Sequence, residues 1–559
     1  MEQTTVATTL AQRLVEAGVH ACFAVPGDFN LTLLDGLLAH PDLRLITCCN
    51  ELNAGYAADG YARSRGLAAL AVTFSVGGLS AVNAVAGAFA EDLPLLVISG
   101  GPNTAALKAG RTLHHTLAQP EEGERFVQAI YREITAGTFL VRDLGAAAPR
   151  IDQALQTALA TRKPVYLEIA CDLATAPLPR PRPLDLVLPP PAGPAALAAA
   201  AAETAARLDA ARQPVLVAGG RLRSAGGLGA FRRLAERCGY AVACMPDAKG
   251  FFPEDHPQFI GLYWGTASSA GCREVVESSD AYLFAGPRFN DYSTVGYSTL
   301  LRQDRLVEAH PGRVCAQGQA FHGVDLPGFL EALADRLRPN PEALEAFRRA
   351  QGPCAEPPED GDPGAPLTTR ALFRRIQACL EPGDTVVAET GDAWFNGMDL
   401  RLPDGCRFEI QMQYGAIGWS VGALLGLGAA DRSRRVVGLV GDGSLQMAAQ
   451  ELSTFLREGL RGLVFVFNNG SYAIEAMIHD GPYNALQPWS YVGLAEALRG
   501  DAKLLARRVA TAGELDEALA EARDFPGLAL VEAVLDPRDC NKALLGWGTA
   551  VSAFNARRA

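Results

Sequence analysis

Short apolar runs alternate along this chain with segments whose apolar residues recur every three or four positions. The runs at 21–25, 43–49, 163–169, 214–218, 385–389, 436–440 and 463–467 are each long enough for one buried strand. Between such runs, 5–18 places Leu10, Leu14 and Val15 on one helical face, and 31–38 and 195–211 are further helical segments. Strands that alternate with helices predict βαβ units and parallel sheets. The clearest unit is 434–475. Its first run, 436–440, meets a Gly-Asp-Gly turn at 441–443. Ser444 then opens a helix carrying Leu445, Ala448, Ala449, Leu452 and Leu456, and a second run, 463–467, ends on Asn468-Asn469.

Proline-rich 178–194 and proline- and glycine-rich 352–366 predict extended linkers. They divide the chain into three α/β domains of doubly wound parallel sheet, at 1–178, 192–342 and 364–559. Residues 66–90 carry no charge, which raises the question of a membrane span. Thr73, Ser75, Gly77, Gly78, Ser80, Asn83 and Gly87 interrupt that stretch, so a strand, a glycine turn and a small-residue helix are expected instead. From Thr73 onward the order strand, turn, helix, strand is expected.

The 559 residues are 49% hydrophobic, enough for several buried cores. A net charge of −12 without a lysine or arginine cluster argues against nucleic acid or an anionic membrane as partner. Twelve scattered cysteines with no C-x-x-C pair suit reduced thiols. The N-terminal stretch lacks the basic start and apolar core of a signal peptide, so a cytoplasmic location is expected.

Candidate chemistry gathers where strands end. Asp442 and Asn469 follow consecutive strands and offer hard oxygen ligands of the kind that suit Mg²⁺. The Gly443-Ser444 amides open a helix and can hold a phosphate, so metal plus phosphate implies a diphosphate-bearing ligand. Asp28 follows the run at 21–25 and is either functional or a cap for the next helix. Glu51 lies between the apolar segments ITCC and AGYAADGYA. It is either a first-turn surface residue matched to the helix dipole or a buried acid needing a partner or a proton. His114-His115 in a strand would face opposite ways, which disfavours a shared metal; in a loop they read as a solvated pair. The glycine pairs at 219–220 and 226–227 lack the G-x-G-x-x-G spacing and read as turns.

The order GDG, helix, strand, NN resembles the fingerprint of thiamine diphosphate enzymes. NNGSYAIEAMIHDGPYN, CCNELNAGYAADGYAR, PGDF, RTLHHTL, FNDYSTVGY, MQYGAIGWSV and DCNKALLGWGTAVSAFNARR are similar to segments of the pyruvate decarboxylase branch, over 5–556. The resemblance implies thiamine diphosphate and Mg²⁺ as cofactors. It implies that Asp442, Asn469 and the Ser471 carbonyl hold the metal, with Gly443 and Ser444 at the diphosphate. Thr390, Asp392, Gly415, Ile417, Tyr472 and Ile474 would contact the cofactor, with Ile417 as the wedge beneath its bend. Glu51 would set the reactive tautomer at the aminopyrimidine N1′. Asp28, His114, His115 and Glu475 would manage protons, Glu475 staying partly protonated beside the substrate carboxylate. Ser471 stands where the family usually has glycine, and a tighter, strained turn is expected there.

In the family, the glutamate and the metal ligands of one site come from different subunits. A homodimer is therefore the expected minimum and a homotetramer the expected assembly. Tyr292, Trp394, Ile474, Ile478 and Trp547 would crowd the substrate pocket, which favours pyruvate, giving acetaldehyde and CO₂ without oxidation. A phenylpyruvate or indolepyruvate decarboxylase is the alternative. A carboligase is a further one, as is a non-catalytic protein of the same fold.

Overall fold

The computed structural model describes residues 3–117, 126–180, 182–186, 193–350 and 362–556. The two expected linkers lie partly outside these residues. Three sheets carry the architecture. In the first, the strands lie in the spatial order Arg44–Thr47, Ala21–Ala24, Ala68–Val72, Leu95–Gly101, Val165–Ala170, Thr138–Val141, all parallel. In the third the order is Arg407–Glu409, Thr385–Ala388, Val436–Gly441, Gly462–Asn468, Leu528–Val534, Leu504–Val509, again all parallel. Numbered along the chain, both sheets read 2-1-3-4-6-5. One topology is thus used twice.

The central sheet places Phe259–Leu262, Ala241–Cys244, Pro214–Ala218, Ala281–Ala285 and Leu306–His310 in parallel. Gly312–Ala316 and Gln319–Val324 extend it as an antiparallel edge, which the sequence pattern did not announce. A two-stranded antiparallel pair, Gln3–Thr5 with Pro177–Pro179, ties the start of the first domain to its end. No helix of the described residues is long and apolar enough to cross a membrane.

The uncharged stretch at 66–90 folds as a buried strand, Ala68–Val72, and two short helices, Val76–Ser80 and Val82–Ala90. The strand ends just before Thr73, one element earlier than expected, so Thr73 belongs to the turn. Helix Val6–Glu16 starts at a capping box in which Thr5 and Thr8 satisfy each other's backbone donors.

Helix Glu51–Arg65 of the first domain packs on helix Trp419–Ala430 of the third through glycines. A Cβ on Gly60 would sit 2.7 Å from Ala423 Cα. One on Gly422 would meet Tyr56 Cβ at 2.5 Å, and one on Gly426 would meet the Ala57 carbonyl oxygen at 1.8 Å. Only hydrogen on these Cα atoms lets the two backbones touch. At the same crossing, Asp59 accepts from Arg63 Nε at 2.7 Å and from Trp419 Nε1 at 2.9 Å, all within the core.

Candidate functional site

Both terminal sheets present their functional side chains beyond the carboxyl ends of their strands, where α/β folds bind ligands. In the third sheet these loops enclose a cavity of about 400 Å³. Its lining comes from the loop after Thr385–Ala388 (Thr390, Gly391, Asp392), the turn with Gly415 and Ile417, and the segment Gly441–Ser444. Asn469, Ser471, Tyr472, Ile474 and Glu475 complete it, with Tyr292 from the central domain.

Asp442 is buried and is the first residue of helix Asp442–Ala448, so the Gly-Asp-Gly motif is helix entry and not a separate turn. Its Oδ1 accepts the Gly443 N–H at 2.9 Å and its Oδ2 the Gly470 N–H at 2.7 Å. Burial still pushes this carboxyl up to about 6 against those bonds, and among the described residues no cation pairs with it. Asn469 Oδ1 accepts the Ser471 N–H at 3.0 Å. The left-handed residue of this loop is Gly470, at φ +69°, and Ser471 carries no positive φ. The strain expected at Ser471 is therefore absent, because its neighbour takes the special conformation. Gly443 has no room for a side chain: a Cβ would lie 2.4 Å from the Tyr472 ring.

The opposite wall is the turn 411–418. Gly415 and Gly418 hold φ +68° and +86°. The Gln411 side-chain oxygen accepts the Ala416 N–H at 2.9 Å, and Glu91 of the first domain accepts the Gln413 N–H at 2.8 Å. Thr390 Oγ1 is buried without a protein partner. Asp392, bonded by Asn396 Nδ2 at 2.8 Å, is pushed by burial up to about 7. Glu389, unremarked in the sequence because it closes an apolar run, is fully buried at the strand end and likewise raised to about 7 by burial.

Of the residues expected at the substrate, Tyr292, Ile474 and Glu475 line the cavity. Glu475 lies in the first turn of helix Ala473–Ile478 and is exposed on this chain. Trp394 and Trp547 are fully buried behind the lining: Tyr292 meets Trp547 at 4.8 Å and Trp394 at 6.0 Å between ring centroids. Ile478 is partly buried in the same apolar cluster. The tryptophans shape the pocket by fixing the tyrosine.

Among the described residues, none of the first domain lines this cavity. That domain instead carries its own cluster. Asp28 does not cap the next helix, whose N-cap is Asn30; its carboxylate meets His114 Nε2 at 2.8 Å. His114 stacks on Phe29 at 5.0 Å and lies 4.3 Å from the His115 ring. His115 holds φ +67° in a loop, so the two rings converge rather than diverge as they would in a strand. Asp28, His114 and His115 are all exposed, and their ligand atoms lie within 4.8 Å of one another. Glu51 starts helix Glu51–Arg65 behind its N-cap Asn50 and is half-buried. Its carboxylate occupies the space above Gly77, 3.0 Å from where a Cβ would stand, and among the described residues it has no hydrogen-bond or ion-pair partner. One chain therefore shows two separate groups of candidate residues, one around Asp442 and Asn469 in the third domain and one around Asp28, His114, His115 and Glu51 in the first.

Models of thiamine pyrophosphate enzymes match the chain three times. The N-terminal TPP binding domain matches residues 4–122, the central domain 201–324 and the C-terminal TPP binding domain 397–533. Pyruvate decarboxylase 3 of Oryza sativa subsp. indica is 50% identical over 557 residues, 98% of this chain and 94% of that protein. Pyruvate decarboxylase 1 of the same plant is 49% identical over 98% of this chain and 91% of its own length. Pyruvate decarboxylase 4 of Arabidopsis thaliana is 47% identical over 99% and 93%.

Proposed function

The chain belongs to the thiamine diphosphate-dependent pyruvate decarboxylase family, and from that premise we propose that it releases CO₂ from pyruvate at a site completed by a second copy of itself, with Mg²⁺ at the cofactor. The residues present fit both groups. Asp442 is a buried carboxylate without a countercharge among the described residues, and Thr390 Oγ1, in the same cavity wall, is a buried hydroxyl without a partner. Asp442, the Asn469 amide oxygen and the Ser471 carbonyl would hold the metal, and Gly443 and Ser444 the diphosphate. When bound, thiamine diphosphate supplies the electron sink that decarboxylation of a 2-keto acid requires.

The chain's own residues do the rest. Gly415 and Ile417 shape the wall that positions the pyrimidine. Glu51 exchanges a proton at N1′, for which its unpartnered carboxylate is suited. The Asp28–His114 pair and His115 would give a proton to the carbon that has lost CO₂ and take the proton from its hydroxyl as the aldehyde leaves, and Glu475 would face the carboxylate being lost. Tyr292 and Ile474, backed by Trp394 and Trp547, leave room for a small substituent, which favours pyruvate over aromatic keto acids. The described cysteines are all free, in keeping with a reducing compartment such as the cytoplasm.

The observation that carries the two-chain reading is that no described residue of the first domain lines the cavity, while the Asp28, His114 and His115 cluster is exposed on the same chain. Co-expression of Glu51→Gln chains with Asp442→Asn chains tests it. Each homodimer is inactive. A mixed dimer holds one intact site if the halves come from different chains, so a random mixture regains about a quarter of parental activity. If each chain built its own site, every site in the mixture would carry a defect and no activity would return.

A further inference from the structure

Glu389 follows strand Thr385–Ala388 and is fully buried. Its Oε1 accepts the Thr390 N–H at 2.8 Å. Its Oε2 accepts the N–H of Gly418 at 3.1 Å, the N–H of Ser420 at 3.2 Å and the Ser420 hydroxyl at 2.6 Å. Among the described residues no arginine or lysine pairs with it. A buried carboxylate without a cation is costly, and four donors converging on one carboxylate offset that cost. A strand-end cap needs only the Thr390 bond. The second oxygen reaches across 29 residues of sequence to the end of the turn that carries Gly415 and Ile417. That turn is hemmed in from the other side as well, since a Cβ on Gly418 would lie 2.9 Å from Met447 Cβ. Thr390, Gly415, Ile417 and Met447 all line the cavity.

We propose that Glu389 is a positioning residue for the reaction: its two oxygens tie the Thr390 wall to the Gly415–Ile417 wall and fix the gap in which the cofactor's pyrimidine is gripped. The proposal rests on the thiamine diphosphate reading above. A glutamine has one acceptor where the carboxylate has two, and its amide would point N–H at N–H, so it can hold one wall and not both. Aspartate, one methylene shorter, cannot span the two.

The test compares Glu389→Gln and Ser420→Ala with the parental protein. Hydrogen exchange measured by mass spectrometry on the cofactor-free protein is expected to rise about tenfold in 411–420 for Glu389→Gln, with the strands of the third sheet unchanged. In the loaded enzyme kcat is expected to fall about ten- to a hundredfold, with KM for pyruvate within about threefold. Ser420→Ala, which leaves the carboxylate and the fold in place, is expected to show the same two changes, smaller. Parental exchange at 411–420 together with kcat within about twofold would overturn the proposal. So would exchange that rises uniformly through the sheet, the mark of a purely structural role. Should Glu389→Gln not fold, Ser420→Ala decides by the same criteria. A parental protein that gains no decarboxylase activity with thiamine diphosphate and Mg²⁺ would instead sink the underlying reading, while exchange in the cofactor-free protein still reports on Glu389.

Discussion

The helix crossing between the first and third domains is the most sharply testable packing feature. Gly426→Ala adds one methyl group, and its Cβ would stand 1.8 Å from the Ala57 carbonyl oxygen and 2.7 Å from the Tyr61 nitrogen. A carbon rests about 3.3–3.6 Å from a carbonyl oxygen, so helices Glu51–Arg65 and Trp419–Ala430 must separate locally by about 1.5 Å. Both obstacles are backbone, and no side chain can swing away. Overpacking costs about 1–3 kcal/mol, and this case belongs at the upper end; the better helix propensity of alanine returns about 1 kcal/mol. A net loss of about 2 kcal/mol lowers Tm by about 4–8 °C in a domain of this size. Glu51, proposed above to exchange the proton at N1′, sits in the first turn of the displaced helix, and a shift of about 1 Å at such a group can cost about a hundredfold in rate. Thermal unfolding and pyruvate turnover are compared with Gly229→Ala, whose Cβ meets nothing within 4 Å. If the two variants behave alike in Tm and turnover, the backbone contact described here does not exist.

Two further outcomes follow from the site. Asp442 takes its proton near pH 6 in the cofactor-free protein instead of near 3.8, because burial disfavours the charge. Metal binding needs the carboxylate, so Mg²⁺ affinity in a titration should be flat above pH 6 and fall about tenfold per pH unit below it; a profile that turns only near pH 4 would refute this. Trp394→Ala removes the ring that backs Tyr292 and should raise kcat/KM for longer 2-keto acids relative to pyruvate by about tenfold, and an unchanged ratio in a coupled assay would remove the steric argument for pyruvate.

Much of this arrangement was legible in the sequence because strand ends announce themselves. The apolar runs gave the parallel strands, and Asp28, Asp442 and Asn469 stood out as polar residues placed just after them. Glu389 did not stand out, since an acid that closes an apolar run looks like the strand's last residue, and its partners Gly418 and Ser420 are a turn away in space but about thirty residues away in the chain. Asp28 could not be told from a helix cap, because a cap and a site acid occupy the same position relative to a strand; Asn30 settles the cap. The antiparallel edge of the central sheet escaped notice because strand periodicity carries no direction. The family resemblance alone put Trp394 and Trp547 in the substrate pocket, and neither is among the residues that line the cavity. That they stand behind Tyr292 rather than at the surface is a matter of packing depth, which spacing along the chain does not encode.

The repeated strand order has a consequence for the economy of the molecule. Each terminal domain carries candidate residues beyond the carboxyl ends of its strands, Asp28 and Glu51 after the first and second strands of one sheet, Asp442 and Asn469 after the third and fourth of the other. In the assembly proposed above, the glycine crossing joins one domain of each kind into a stiff bar, with Glu51 at the head of one helix and the Gly415–Gly418 turn at the head of the other. Those heads would serve two different reaction centres, so a push delivered at one arrives at its twin without any intervening loop to absorb it.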